Sequence, residues 1–433
     1  MNYLKYFFLL LATHGYSQNV VSYEFERYIS DWQKEHDVPV VAIGIIENGR
    51  VQYTEVFGQQ SNGIPADKQT IFTVASLTKP VFATIVLNLI EHKKLKLDEP
   101  VFKYYIDPDV KDDIRLKMLT PRFILSHQSG FVNWRNMSHT KKLAFNFTPG
   151  EQYLYSGEGY EYLRHAIENK TNKKLTALAH NTLFQPLGLK AIDFVWNEQW
   201  NRAKLAIPHN NLPNTELNAA SGLLTTIEDY TRFCAFVVNG EGLSNSLFKE
   251  IIKPQVKVKE GLYYGLGWEI IPNLSNNESV MMHSGDGDGV KTLVVLLPKS
   301  KRGIVVFTNG NNGYKVYEKV VSSYLKEGKQ IFELKNRKLV PEEKYSISFE
   351  DLKNYTGTFK IKENVTFDVI TDTNTLKLII PGQSPFKLVA QSKNEFLVDD
   401  EIKVEFVWNE SNKLESVITY QHGIKSYQGN KVK

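Results

Sequence analysis

Ile71-Phe72-Thr73-Val74-Ala75-Ser76-Leu77-Thr78-Lys79-Pro80-Val81-Phe82-Ala83-Thr84-Ile85-Val86-Leu87-Asn88-Leu89-Ile90-Glu91-His92 is the stretch on which the fold turns. Its first four residues are β-branched or aromatic and read as a strand. Phe82, Ile85, Val86, Leu89 and Ile90 then recur at helical spacing, which predicts an amphipathic helix over about Ser76 to His92, packed on a sheet. At the junction, Ser76 and Lys79 stand three apart, so on a helix both point the same way with Cβ atoms roughly 5–6 Å apart. A partly desolvated lysine loses its proton and activates a serine that is otherwise a weak nucleophile. Backbone N–H groups at a helix start favour developing negative charge beside that hydroxyl. A serine that merely caps the helix fits the same position. The spacing alone decides nothing, since it recurs at Ser138/Lys141, Ser246/Lys249, Ser323/Lys326 and Ser384/Lys387. The strand-then-helix context singles out Ser76.

Working outward, Phe25 to His36 has helical spacing, and the β-rich runs Val40 to Ile46 and Val51 to Phe57 flank Asn48-Gly49, a hairpin signal. Residues 115 to 240 carry helical patterns broken by Pro and Gly. Strand patterns return at Tyr263 to Ile271, Lys291 to Leu297 and Gly303 to Thr308, followed by a helix from Tyr314 to Lys326. Strands at both ends with helices between them predict an α+β fold: one antiparallel sheet built from distant segments, flanked by helices, with an inserted helical region. Residues 336–346 turn charged and Pro-containing and read as a linker after a domain at 18–335. From 347 to 433, short alternating runs such as Thr366 to Thr371, Leu376 to Ile380 and Lys403 to Trp408 are separated by Asn, Asp, Gly and Ser. They predict a small all-β, barrel-like domain.

The chain has 433 residues, 42% hydrophobic and 23% charged, which is globular composition on a scale of more than one domain. Its 52 basic and 48 acidic side chains are scattered and nearly balanced, which gives no nucleic-acid partner any support. Lys5, the apolar run Tyr6 to Ala12, and the small residues Gly15 and Ser17 read as a signal peptide over 1–17. The expectation is a mature chain from Gln18 without a transmembrane segment, exported to a bacterial periplasm or secreted. No Cys follows the run, so a lipoprotein anchor is not expected. The sole cysteine, Cys234, falls in the amphipathic pattern Tyr230 to Phe236 and reads as a buried thiol.

Two further segments carry chemistry. Tyr155-Ser156-Gly157 follows Thr148-Pro149-Gly150 and precedes a helix from about Gly159 to Glu168. A phenol projected from such a turn into a cleft would have its pKa lowered by a nearby ammonium. His283-Ser284-Gly285 starts a strand-like segment continuing to Leu297. It offers a cationic or hydrogen-bonding side chain and a close-approaching backbone to a substrate carboxylate or carbonyl. Taken singly, a core tyrosine and a structural histidine read the same way.

In this order, and with Leu125-Ser126-His127-Gln128-Ser129-Gly130, Ala220-Ser221-Gly222-Leu223-Leu224-Thr225-Thr226, Tyr264-Gly265-Leu266-Gly267-Trp268 and Phe307-Thr308-Asn309-Gly310, the segments resemble the serine β-lactamase and penicillin-binding protein superfamily. The resemblance spans about residues 25 to 330 and is nearest to class C β-lactamases and to D-alanyl-D-alanine carboxypeptidases and esterases. It implies a β-lactamase/transpeptidase-like fold in which Ser76 is the acylated nucleophile, Lys79 its proton partner and Tyr155 the shuttle to the leaving group. It further implies that His283, Ser284, Gly285 and Gly157 line the substrate, that the backbone N–H groups of Ser76 and Asp286 form the oxyanion hole, and that Asn309 is structural. No metal or organic cofactor is implied. The implied partner is a small molecule or a peptidoglycan-type peptide, with a β-lactam, D-alanyl peptide or ester carbonyl as the reacting group.

Gly157 departs from the family, which usually carries an asparagine there. The lost donor and acceptor are worth about 1–3 kcal/mol if unreplaced, and Glu158 is the neighbouring candidate to replace them. A pure esterase and a non-catalytic binder that kept the fold therefore stand beside the main reading. Asp286-Gly287-Asp288-Gly289 reads as a turn at the cleft edge, and Trp268 as core. The sequence sets no oligomeric state.

Overall fold

In β1 (Val40–Glu47), Val40, Ala42 and Ile46 join one apolar core while Val41, Ile43 and Ile45 join another, as period-two side chains must when both faces of a sheet are covered. The computed structural model describes residues 21–61, 63–137, 140–206, 216–337, 341–362, 365–372, 375–380, 385–399, 402–421 and 424–432. The expected signal peptide, residues 1–17, lies outside the described residues.

The hairpin turn lies where expected: Asn48 and Gly49, with φ of 52° and 72°, connect β1 to β2 (Arg50–Ser61), which carries the short β3 (Ile64–Pro65). The two-residue strands β4 (Phe72–Thr73), β5 (Ile192–Asp193) and β6 (Leu224–Thr225) form a small separate sheet. The main sheet is completed by β7 (Val256–Lys259), β8 (Leu262–Tyr264), β9 (Glu269–Ile271), β10 (Val280–Gly287), β11 (Val290–Leu297) and β12 (Arg302–Thr308). Its nine strands run β3-β2-β1-β12-β11-β10-β9-β8-β7, with antiparallel pairing throughout. The first and last long strands of this region thus lie side by side, Val41 opposite Thr308.

In chain order the helices are α1 (Tyr23–Glu35), α2 (Thr78–Glu91), α3 (Pro121–Leu125), α4 (Gly157–Thr171), α5 (Leu175–Ala179), α6 (Ile227–Asn239), α7 (Asn245–Ile252), α8 (Gly313–Tyr324), α9 (Gly328–Lys335) and α10 (Phe349–Leu352). Ile29 of α1, Val316 and Val320 of α8, and Ile331 of α9 cover one face of the sheet. The other face meets α6, which lies against β1, β2 and β12, and beyond it the inserted helical region. Two readings need correction here. The helix after Ser76 is not amphipathic, because every residue from Thr78 to Leu87 is buried. With α5 beside it and its apolar side chains in the larger core, α2 has no solvent face along Thr78 to Leu87 to mark with polar residues. The segment expected to run from His283 to Leu297 is two strands, split by a turn at Asp288-Gly289, so His283 sits mid-strand in β10.

The C-terminal region closes into the expected barrel of eight antiparallel strands, β13 (Gly357–Lys362), β14 (Val365–Asp372), β15 (Thr375–Ile379), β16 (Phe386–Ala390), β17 (Glu395–Leu397), β18 (Ile402–Trp408), β19 (Leu414–Gln421) and β20 (Ile424–Lys431). Phe359, Phe367, Phe396, Val404, Phe406 and Val417 fill its interior. Just before the barrel, Lys344 N–H donates to the Ala390 carbonyl at 3.0 Å and Gln391 Nε2 to the Glu342 carbonyl at 2.8 Å, so part of the expected linker lies on the barrel wall.

Candidate functional site

Ser76 occupies a single 3₁₀ turn, Ala75–Leu77, one turn ahead of α2, where its hydroxyl is half-buried and reachable. The turn is tight enough to hold Ala75 at φ 47°, a left-handed conformation that costs about 1–2 kcal/mol for a residue with a Cβ. Three hydrogen bonds keep it there. The Val74 carbonyl accepts from Leu77 N–H at 3.1 Å and from Thr292 Oγ1 at 3.0 Å, and Thr78 Oγ1 donates to the Ala75 carbonyl at 2.6 Å. Gly285 of β10 runs beside this turn so closely that a Cβ there would collide with Thr292 Oγ1 and the Val74 carbonyl, and would stand 3.3 Å from Ser76 N. Only glycine allows the strand that close.

Lys79, on the first turn of α2, is fully buried, with its Nζ 3.2 Å from Ser76 Oγ and 2.9 Å from the Ala220 carbonyl. Burial pulls its pKa down from 10.5 to about 7, against the opposing pull of the Glu161 carboxylate. Tyr155 stands beside them: its ring lies 4.6 Å from Lys79 Nζ, and its phenol is near enough to the Ser76 hydroxyl for that group to bear on its pKa. The expectation that an ammonium would lower the phenol's pKa is overturned. Burial raises it, the Ser76 hydroxyl opposes that only in part, and a lysine this short of water holds too little charge to compensate.

His283 and Gly285 share the parity of Met281 along β10, which puts them on the sheet face that carries α2. The His283 ring lies 6.4 Å from that of Tyr155, so the four side chains do converge. His283 is not a cation: burial first and Lys79 second push its pKa to about 3. Its Nδ1 lies 2.8 Å from the Ser284 carbonyl, which can only accept, so the proton sits on Nδ1 and a buried, unpartnered Nε2 remains as an acceptor. Of the two alternatives for this residue, cationic or hydrogen-bonding, burial leaves the hydrogen-bonding one. Ser284 is half-buried, and the exposed Asp286 side chain pairs with Lys291 at 2.6 Å, leaving its backbone as the part directed along β10. Asn309 is structural, its Oδ1 accepting from Val40 N–H at 2.7 Å.

Gly157 is the first residue of α4, and the indole of Trp134 occupies its side-chain space: a Cβ would lie 2.6 Å from Cη2 and 2.7 Å from Cζ2. Glu158 does not replace the missing side chain, because its carboxylate is held by Arg135 at 2.8 Å and is largely buried. His127, Asn133, Trp134 and the Ala220 carbonyl belong to the site but received no role from the sequence. His127 is buried at φ 57°. Its ring centroid is 4.2 Å from that of Tyr155, and its Nδ1 accepts from Ser156 N–H at 3.0 Å, which fixes the turn that aims the phenol. His127 and Ala220 lay inside recognisable motifs; Asn133 and Trp134 had no signal at all.

A family model described as Beta-lactamase matches residues 25–320. Protein flp of Staphylococcus aureus (strain MRSA252) is 24% identical over 363 residues, covering 76% of this chain and 68% of that protein. Penicillin-binding protein 4* of Bacillus subtilis (strain 168) is 22% identical over 395 residues, covering 78% of this chain and 83% of its own. Among solved structures, the octameric penicillin-binding protein homologue from Pyrococcus abyssi shares the fold with a TM-score of 0.60 at 19% identity, over 94% of this chain and 99% of that one. The crystal structure of SurE does so with a TM-score of 0.65, also at 19% identity, over 94% and 98%. Such shares are too large to stop at the main sheet, so the likeness extends into the C-terminal barrel.

Proposed function

The chain belongs to the Beta-lactamase family, and on that premise we propose that it is a serine hydrolase that forms an acyl-enzyme on Ser76. One observation carries this reading: the hydroxyl of half-buried Ser76 lies 3.2 Å from a buried lysine amine held near neutrality, and the ring of half-buried Tyr155 lies 4.6 Å from that amine. The neutral Lys79 amine draws the Ser76 proton, directly or through the Tyr155 hydroxyl, as Oγ attacks a carbonyl carbon. The tetrahedral oxyanion rests on the backbone N–H groups of Ser76 and Asp286. Tyr155 hands the proton to the leaving group as the old bond breaks, and water, deprotonated by the same pair, then releases the acid. The substrates of this reading are β-lactam, D-alanyl peptide or ester carbonyls, met by a protein exported to a periplasm or secreted.

A pure esterase is the second reading, favoured by the Trp134 indole over Gly157, which leaves no side-chain amide at that position to hold a β-lactam or peptide amide. The test is intact-mass measurement after brief reaction with a fluorophosphonate, a β-lactam, a short-chain ester and a D-alanyl peptide. The expected result is one covalent adduct, mapped to Ser76 and absent from Ser76→Ala. A wild-type protein that binds these compounds without gaining mass is a binder and not a hydrolase.

A further inference from the structure

The three residues Asn133, Trp134 and Arg135 form a clip on the start of α4. Gly157 N–H donates to Asn133 Oδ1 and Glu158 N–H to the Asn133 carbonyl, each at 2.9 Å. On the other side, Arg135 N–H donates to Glu158 Oε1 at 2.9 Å, and its guanidinium reaches Glu158 Oε2 at 2.8 Å and Asp107 Oδ2 at 2.8 Å. The next amide, Gly159 N–H, is capped by Ser156 Oγ at 2.9 Å. This helix start, two residues from Tyr155, therefore has its first N–H groups already paired, where a free one would bind an anion or a carbonyl. What it presents is the half-buried Trp134 indole, clamped between two anchors and lying on the bare backbone of Gly157.

We propose that Trp134 is a specificity-determining residue, whose indole forms an apolar wall beside the reacting carbonyl and selects substrates with an aromatic or aliphatic group flanking that carbonyl over substrates with a polar amide there. The proposal rests on the Ser76 hydrolase reading and gives it a substrate class. An apolar group laid on the indole removes area from water on both partners. An amide in the same place gives up its water hydrogen bonds to a helix start whose first backbone N–H groups are already paired. Because the clip fixes the ring beforehand, little side-chain freedom is lost on binding.

The experiment compares para-nitrophenyl phenylacetate with para-nitrophenyl N-acetylglycinate, two esters with one leaving group, on the full chain and on Trp134→Ala and Trp134→Phe. The readout is the ratio of the two kcat/KM values within each protein, which cancels any change in the folded fraction. The wild type is expected to favour the phenylacetate, Trp134→Ala to lower the ratio by at least about tenfold, and Trp134→Phe to retain most of it. A ratio indifferent to residue 134, with acyl adducts on Ser76 still forming, overturns the assignment to Trp134 alone. Absence of turnover of either ester by the wild type, together with absence of a fluorophosphonate adduct on Ser76, removes the hydrolase reading and this one together.

Discussion

An amine kept near neutrality chiefly by burial gives the reaction a pH signature of its own. Lys79 is protonated below about 7 and free above it, so acylation of Ser76 is expected to rise with pH through about 7 and then level off. His283, pushed to about 3, and Tyr155, raised by burial, add no break across the neutral range. Stopped-flow kcat/KM for one ester against pH checks this, and a rising limb centred near the ordinary lysine value would mean that Lys79 is solvated and is not the base. The residue types at 76, 79, 155 and 283 were legible because a serine three before a lysine, a tyrosine in a turn and a histidine beside glycine are local patterns. Their charges were not. The lowered phenol was expected from a neighbouring ammonium and the histidine was left cationic or hydrogen-bonding, whereas dehydration by distant segments dominates, and no window of sequence contains the residues that exclude the water.

At the scale of elements, the site depends on one strand passing one turn without a side chain between them. Gly285→Ala is expected to drive β10 from the Val74–Ser76 segment, at a cost of about 1–3 kcal/mol for the overpacking, and to reduce acylation more than stability by shifting the Ser76 and Asp286 N–H groups. Chemical denaturation together with the single-turnover acylation rate separates the two effects; unchanged acylation in a folded Gly285→Ala protein would show that this close approach does not shape the pocket. Hairpins and long strands were readable from alternation and from Asn48-Gly49. The burial of α2 was not, since a helix buried from Thr78 to Leu87 carries no periodic polar stripe to mark its surroundings.

At the scale of the molecule, the barrel fills its interior with its own side chains, from Phe359 to Val417, and Leu352 and Tyr355 just before it join the same core. Tyr355 meets Phe396, Phe406 and Trp408 edge-on at 5.0 to 5.4 Å. Phe406→Ala is therefore expected to cost about 3–5 kcal/mol, lowering one calorimetric transition while the rate of Ser76 acylation stays within about twofold of wild type. Loss of acylation in parallel would mean that the barrel supports the cleft. The presence of the barrel could be foreseen from short alternating runs, but its strand count and closure could not, because they depend on which edges find each other. The adjacency of β1 and β12 has a consequence in time. A chain still lacking its residues near 308 has no partner for the edge of β1 that Thr308 and its neighbours will fill, so the centre of the sheet stays open until most of the polypeptide has been made. Such late, long-range closure is slow, and until it happens the inner edge of β1 stays unpaired and open to misplaced strands.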